Sequence, residues 1–160
     1  MIILAAAALL FCFSFVLLYG APYLPTLDIQ MEIALDKLDL KPGETMLELG
    51  SGDGKVMLAA ARRGWNVVGY ELNPVLYGIS RIRTWRYRRQ VTIIWGNFWT
   101  QDWPPAEGIF SFVLTRQMAR LDTKIQHTYR RPVKLASFGA CIPGKTSVSH
   151  SAGVYLYAYR

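Results

Sequence analysis

The sequence predicts an α/β domain, a mostly parallel sheet with helices on both faces, preceded by one transmembrane helix. Three observations carry that expectation. Short apolar runs alternate with segments of helical period along most of the chain. Glycine and proline punctuate the joins between them. Residues 1–19 contain no charged side chain at all.

That first run, MIILAAAALLFCFSFVLLY, would measure about 28 Å as a helix, against a bilayer core of about 30 Å. A cleaved secretory signal would carry a basic leader and a small-residue cleavage site. Here no Lys or Arg precedes the run, and Tyr19-Gly20-Ala21 is followed at once by Pro22. A buried core helix would show a polar stripe. The expectation is a retained anchor over residues 1–20 and a single domain over residues 21–160. All 18 Lys and Arg and all 11 Asp and Glu lie beyond the run, so the net charge of +7 belongs to the domain. Positive-inside reasoning places that domain on the cytoplasmic side of a single-pass membrane protein.

The elements follow in order. Ile29 to Leu38 has apolar residues at Ile29, Ile33, Ala34 and Leu38, a helical period. Lys41-Pro42-Gly43 is a turn signal. Thr45 to Leu49 reads as a strand, Lys55 to Arg63 as a helix stopped by Gly64, and Asn66 to Tyr70 as a second strand. Pro74 opens a helix expected to reach about Arg89. Val91 to Trp95 is a third strand, and Pro104-Pro105 breaks the chain. Strand Ile109 to Leu114, helix Gln117 to Tyr129 and strand Val133 to Ala140 come next. Val154 to Tyr159 closes the chain after a hairpin-like connection (Pro143 to Gly153), and this last strand can run antiparallel. Strands alternating with helices imply an open, mostly parallel sheet.

With 160 residues there is room for one core and one appendage, which excludes a multidomain enzyme. A chain 52% hydrophobic and 18% charged is not disordered. Cys12 and Cys141 cannot build a disulfide framework or a cysteine metal site, and a reduced compartment is the simplest reading. Two histidines, His127 and His150, argue against a histidine metal centre, so no metal is expected.

In sheets of this kind, ligands bind beyond the carboxyl ends of the strands. The most unusual residues fall there. After the first strand comes Glu48-Leu49-Gly50-Ser51-Gly52-Asp53-Gly54. Three alternate glycines permit a tight turn and close approach to a ligand, and the following helix presents free N–H groups suited to an anionic group. Dinucleotide folds space their glycines G-x-G-x-x-G; here Lys55 stands where that spacing needs the last one. Glu48, two residues before the first glycine, suits a ligand with positive charge, such as the ammonium and sulfonium of S-adenosylmethionine. The second strand ends in Gly69-Tyr70-Glu71-Leu72-Asn73-Pro74. Glu71 follows Gly50 by about twenty residues, the interval at which a carboxylate accepts ribose hydroxyls. Gly96-Asn97-Phe98-Trp99 ends the third strand. An amide at Asn97 can bond an adenine edge with Phe98 against the ring, or Asn97 can serve as a loop residue among packed aromatics.

Glu48 to Gly54, Glu71 with Leu72, and the Asn97-Phe98 pair resemble the cofactor motifs of class I S-adenosylmethionine-dependent methyltransferases, a Rossmann-like fold. A narrower resemblance covers nearly the whole chain. Pro22-Tyr23-Leu24-Pro25-Thr26, Leu47 to Gly54, Gly69 to Pro74, and Ser80-Arg81-Ile82-Arg83-Thr84-Trp85-Arg86 are similar to the small membrane-anchored protein-lysine methyltransferases of mitochondria. That family methylates the ATP synthase c-subunit and the adenine nucleotide translocase, and has shorter prokaryotic relatives. The resemblance implies S-adenosyl-L-methionine as cofactor, held by Glu48, Gly50, Ser51, Gly52, Asp53, Gly54, Glu71, Leu72, Asn97 and Phe98. It also implies a membrane-protein substrate and a domain on a side of the membrane that supplies this cofactor. Asn97 stands where the family tends to carry Asp. Leu114-Thr115-Arg116-Gln117-Met118 contains no Asn-Pro-Pro-Tyr or Asp-Pro-Pro-Tyr motif.

Methyl transfer from a sulfonium is an in-line displacement with a neutral leaving group, driven by orientation and water exclusion. The acceptor needs a free lone pair. Tyr23, Thr26, Thr115 and Gln117 are the polar residues expected near it, with caps and turns as their plain alternative roles. The short linker Gly20-Ala21-Pro22-Tyr23 would hold the site near the bilayer. The basic run Arg81, Arg83, Arg86, Arg88 and Arg89 fits lipid headgroups first, nucleic acid second, or a solvated helix face. Trp85, Tyr87, Trp95, Trp99 and Trp103 would form a base-stacking platform, or core and interfacial-belt residues. Three functions are therefore weighed: a membrane-anchored lysine methyltransferase, a methyltransferase of lipid headgroups or small amines, and a non-enzymatic cofactor-binding membrane protein.

Overall fold

The computed structural model describes residues 26–160. Tyr23 and the apolar run over residues 1–19 lie outside the described residues. Among the described residues no helix is long and apolar enough to cross a membrane.

The chain runs α1 (Asp28–Leu38), β1 (Thr45–Leu49), α2 (Lys55–Arg62), β2 (Asn66–Glu71), α3 (Pro74–Arg83), β3 (Val91–Trp95), β4 (Gly108–Ser111), α4 (Met118–Thr128), β5 (Val133–Phe138), β6 (Ser149–Ser151) and β7 (Val154–Tyr159). Short 3₁₀ turns at Trp85–Tyr87 and Thr115–Gln117 follow α3 and precede α4. The seven strands form one sheet in the order β3-β2-β1-β4-β5-β7-β6. The first five are parallel, whereas β7 is antiparallel to both β5 and β6. From β1 the chain builds outward through β2 and β3, then returns to lay β4 on the other side of β1. The strand order thus reverses between β1 and β4, where the crossover loops part and leave a crevice.

Residue alternation divides the core between the two sheet faces. Met46, Val67, Phe110 and Ala136 point to one face, where they meet Met31, Leu35 and Leu38 of α1 and Val56, Met57 and Ala60 of α2. Leu47, Leu49, Ile109 and Leu135 point to the other and meet Met118, Leu121 and Ile125 of α4. Helices therefore cover both faces, as the sequence predicts. Over Val68 and Ile94, however, the second face is covered by Phe98, Trp99 and Trp103 of the irregular segment after β3.

Three element ends differ from expectation by more than one residue, and one strand is additional. Helix α3 stops at Arg83 rather than near Arg89. The Thr84 hydroxyl and N–H both donate to the Ser80 carbonyl, at 2.8 and 3.0 Å, and the chain tightens into its 3₁₀ turn. It must turn there because the Val67 N–H donates to Gln90 O (2.8 Å), opening the register of β3 on β2. Strand β4 ends at Ser111, opposite Leu49, because β1 leaves the sheet at Gly50. Strand β5 ends at Phe138, where Val154 begins the pairing with β7. The polar segment 149–151 carries no apolar signal, yet it forms β6 on the edge of β7.

The packing of α2 against α3 depends on one glycine. Gly54 has φ +79°, and a Cβ there would lie 2.8 Å from the Ser80 Cβ and 3.0 Å from its Cα. Gly54→Ala should destabilise the domain by about 2–4 kcal/mol, the sum of the left-handed penalty and overpacking. Denaturant unfolding would show it, with Gly54→Ala/Ser80→Gly recovering part of the loss.

Candidate functional site

The carboxyl ends of β1, β2 and β4 meet at the reversal point. The turn after β1 is set by Gly50 (φ +90°) and Gly52 (φ +53°). The N–H groups of Gly50 and Ser51 both donate to Tyr70 O, at 3.1 and 2.8 Å, which folds the turn back over the end of β2. Glu71 closes the arrangement. One of its carboxylate oxygens accepts from the Gly52 N–H (2.7 Å) and the other from the Asn73 N–H (2.8 Å). Asn73 in turn caps α3, its Oδ1 accepting from the Val75 and Leu76 N–H groups. Asp53 accepts from the Lys55 N–H at 3.2 Å and pairs with Arg83, which joins the turn to the end of α3. The Lys55 ammonium bonds Asp28 (2.8 Å) and the Thr26 carbonyl (3.0 Å), bringing the start of the described chain to the same loop.

Burial gives the site its chemistry. Glu48 is 2% exposed, and its carboxyl is raised well above the ordinary value of 4.5. Desolvation is the main cause, the Glu71 and Asp53 charges add to it, and the Met57 backbone N–H opposes it. Glu71 is raised as well, again by burial, against the donors from Asn73, Gly52 and Leu72. Glu48 Oε2, Ser51 Oγ, Asn73 Nδ2 and Ser111 Oγ are buried without a hydrogen-bond partner among the described residues. All four lie on or just after β1, β2 and β4. Such groups are costly to leave unmatched. A Cβ at Gly50 would meet nothing within 4 Å, so the backbone there faces open space. A buried acid seeking a cationic partner, bare main chain and unmatched hydroxyls fit the amino acid end of S-adenosylmethionine.

The segment after β3 has no regular structure, and its carbonyls are held by side chains from other elements. Lys124 on α4 donates to Phe98 O (3.0 Å), Trp99 O (2.9 Å) and Gln101 O (2.9 Å), which uses all three ammonium protons. The Trp103 indole donates to Phe98 O (2.8 Å), Tyr70 OH to Asp102 O (2.7 Å) and Tyr129 OH to Pro104 O (2.8 Å). The Arg120 guanidinium lies 4.3 Å from the Trp99 ring centroid. Asn97 takes the turn role, with Oδ1 accepting from the Trp99 N–H (2.9 Å), while Phe98 packs on Trp99 with centroids 4.7 Å apart.

The structure thus gathers Glu48, Gly50, Ser51, Gly52, Asp53, Gly54 and Glu71 at the reversal point, with half-buried Leu72 beside them. Thr26 is buried at the Lys55 contact. Thr115 and Gln117 sit in the 3₁₀ turn after β4. The aromatics do not form one platform. Trp85 and Trp95 are exposed, whereas Trp103 is buried over the second face. Nor is the basic run uniform, because Arg83 belongs to the turn through Asp53. Sequence reasoning missed Ser111, Asn73 and Lys124. Asn73 before Pro74 is a helix-start signal that could have been used. Lys124 leaves none, since its partners lie 23 to 26 positions away.

Residues 48–149 match the ANTKMT methyltransferase domain family. The chain is 33% identical over 107 residues to the ATP synthase c-subunit lysine N-methyltransferase of Xenopus laevis, covering 66% of this chain and 47% of that protein. It is 32% identical over 108 residues to the adenine nucleotide translocase lysine N-methyltransferase of Mus musculus, covering 66% and 47%. The chain spans about half the length of these relatives. Among solved structures, an RNA methyltransferase from Salinibacter ruber in complex with S-adenosyl-L-homocysteine superposes with a TM-score of 0.78 at 20% identity. That match covers 85% of this chain and 92% of the other, and at such identity the likeness is one of fold.

The buried acid and the lysine clamp can each be tested. Because the folded pKa of Glu48 is raised, the native state holds a proton that the unfolded chain releases near its ordinary value. Without ligand, Glu48's contribution to stability is fully present below that ordinary value and is lost as pH rises through the folded pKa. Glu48→Gln should flatten this decline in thermal melts between acid and neutral pH, while weakening S-adenosylmethionine binding by roughly 10–100-fold in calorimetry. Lys124→Met should cost about 1–3 kcal/mol of stability, because the carbonyls of Phe98, Trp99 and Gln101 lose this donor. Parallel unfolding titrations of the wild type and this variant would measure the loss.

Proposed function

The chain belongs to the ANTKMT methyltransferase domain family, and from that premise we propose that it is a membrane-anchored enzyme methylating a lysine side chain of a membrane protein. The observation that carries this reading is the buried, partnerless Glu48 carboxylate oxygen beside the open backbone of Gly50. Relatives named for methylating lysines of the ATP synthase c-subunit and of adenine nucleotide translocase support the acceptor class.

Bound S-adenosylmethionine supplies an electrophilic methyl group on a sulfonium. Glu48 would hold its ammonium, a pairing that would favour the charged carboxylate and offset part of the burial penalty. Gly50 and Gly52 let the main chain come close. Glu71 fixes Gly52 through one oxygen and Asn73 through the other, and the remaining lone pairs of its carboxylate can accept ribose hydroxyls. Phe98 and Leu72 offer apolar surface for the base. No histidine serves as base: His127 lies at the end of α4, and His150 stacks on Tyr155 in the β6–β7 ribbon. A lysine acceptor loses its proton through desolvation at the site mouth, from a reference value of about 10.4. Thr26, Thr115 and Gln117 are the described polar residues assigned to the acceptor's approach, and Tyr23 joins them in this reading. Residues 1–19 serve as the anchor that keeps the site close to a membrane-embedded acceptor.

Incubating the full chain with methyl-labelled S-adenosylmethionine and membranes should place label in acid-precipitated protein, on lysine. Label in the organic extract would instead identify a lipid methyltransferase, and failure of the cofactor to bind would remove the enzyme. Glu71→Ala should abolish measurable cofactor binding. Deleting residues 1–19 should preserve binding yet impair methylation in membranes, and full activity there would refute the anchor.

A further inference from the structure

Helix α3 is patterned the wrong way round for a surface helix. Its buried seam is Leu76 and Ser80, continued by Thr84, at 6%, 0% and 3% exposure. Its outer face carries Ile79 and Ile82, and the following turn adds Trp85, at 41%, 79% and 59% exposure. A helix facing water alone places polar residues outward. From Pro74 to Gln90 there are five arginines and no acidic residue. Arg83 is held by Asp53, whereas Arg81, Arg86, Arg88 and Arg89 are exposed and have no carboxylate partner among the described ion pairs. Arg88 lies 5.0 Å from the Trp85 ring centroid.

A second exposed apolar pair stands at the start of the described chain. Leu27 and Ile29, at the start of α1, are 61% and 69% exposed. Asp28, which stands between them in sequence, is linked to the end of α3 by the relay Asp28–Lys55, Lys55 N–H to Asp53, and Asp53–Arg83. Asp28 and Arg83 line one groove. The chain therefore comes into the domain beside the end of α3. Between the apolar run ending at Tyr19 and Thr26 it can extend about 25 Å at most.

We propose that the outer face of α3 and its following turn, together with Leu27 and Ile29, rest on an anionic lipid surface. Aliphatic side chains and an indole, rimmed by arginines that lack protein counterions, match the interfacial zone of a bilayer with acidic headgroups. Four exposed arginines with no acidic residue among them from Pro74 to Gln90 ask for a continuous anionic surface, which acidic headgroups supply. A nucleic-acid platform would present free aromatic faces, but Trp85 carries Arg88, and Trp95 stacks on Tyr77 with its indole N–H given to Leu72 O. The contact is a second one, beyond the anchor on whose membrane reading it builds, and it orients the catalytic edge relative to the bilayer.

The full chain is mixed with vesicles of phosphatidylcholine alone, or of phosphatidylcholine with phosphatidylglycerol, carrying brominated acyl chains. Trp85 is read as the difference in tryptophan quenching between the wild type and Trp85→Phe. The expected result is Trp85 quenching that requires phosphatidylglycerol and is lost in Ile79→Ser/Ile82→Ser. In Arg86→Gln/Arg88→Gln that quenching should be lost at lower salt. Flotation with both kinds of vesicle but no Trp85 quenching would overturn the proposal and leave the anchor standing. Flotation only with anionic vesicles, reversed by salt and with Trp85 quenched, would support the proposal and remove the anchor. Trp85 quenching by a single-stranded oligonucleotide, with none by vesicles, would overturn it in favour of nucleic acid.

Discussion

A carboxylate withdrawn from water at the end of the central strand is the constraint on which the rest of this structure depends. Glu48 sits at the end of β1, flanked on both sides by parallel neighbours, with α2 packed across it. Its charge is unfavourable on its own and becomes favourable only when a cation reaches it. Folding energy stored elsewhere in the sheet must maintain that arrangement. The two-sided core provides it, because Met46 and Phe110 on one face and Leu47 and Ile109 on the other lock β1 and β4 in register.

The second acid has a different duty. Glu71 is buried too, yet both of its oxygens already accept backbone N–H groups from the loops on either side. It ties the glycine turn to the start of α3, and Asp53 repeats the tie through Arg83. The two neighbouring carboxylates thus differ: Glu71 holds the shape of the turn through both oxygens, and Glu48 keeps one buried oxygen without a partner among the described residues. Their mutual repulsion raises the Glu48 pKa further, which sharpens the preference for a positively charged occupant.

Around this centre the domain uses few residues. The strip between β3 and β4 has no helix, and its aromatic side chains cover sheet area that a helix would otherwise cover. Its backbone stays ordered because Lys124, Tyr70, Trp103 and Tyr129 take up its carbonyls. The same economy leaves α3 with a small, partly polar seam toward the core and its aliphatic residues outside.

Local chemistry determined what the sequence alone made legible. Strand and helix periods, the three glycines before Lys55, Asn73-Pro74 and the two spaced acids each act within a few residues, so the α/β class, the reversal-point turn and the positions of Glu48 and Glu71 at strand ends could be read directly. Tertiary structure decided the rest, because the forces involved join distant parts of the chain. Helix α3 stops at Arg83 only because β3 must register against β2. Strand β6 exists only because β7 offers it an edge. Arg83 leaves the basic run for Asp53 across 30 positions, and Lys124 finds its carbonyls across the fold. Periodicity reports which way a side chain faces along its own element; which charge or carbonyl waits there is fixed by packing, through contacts that no local pattern encodes.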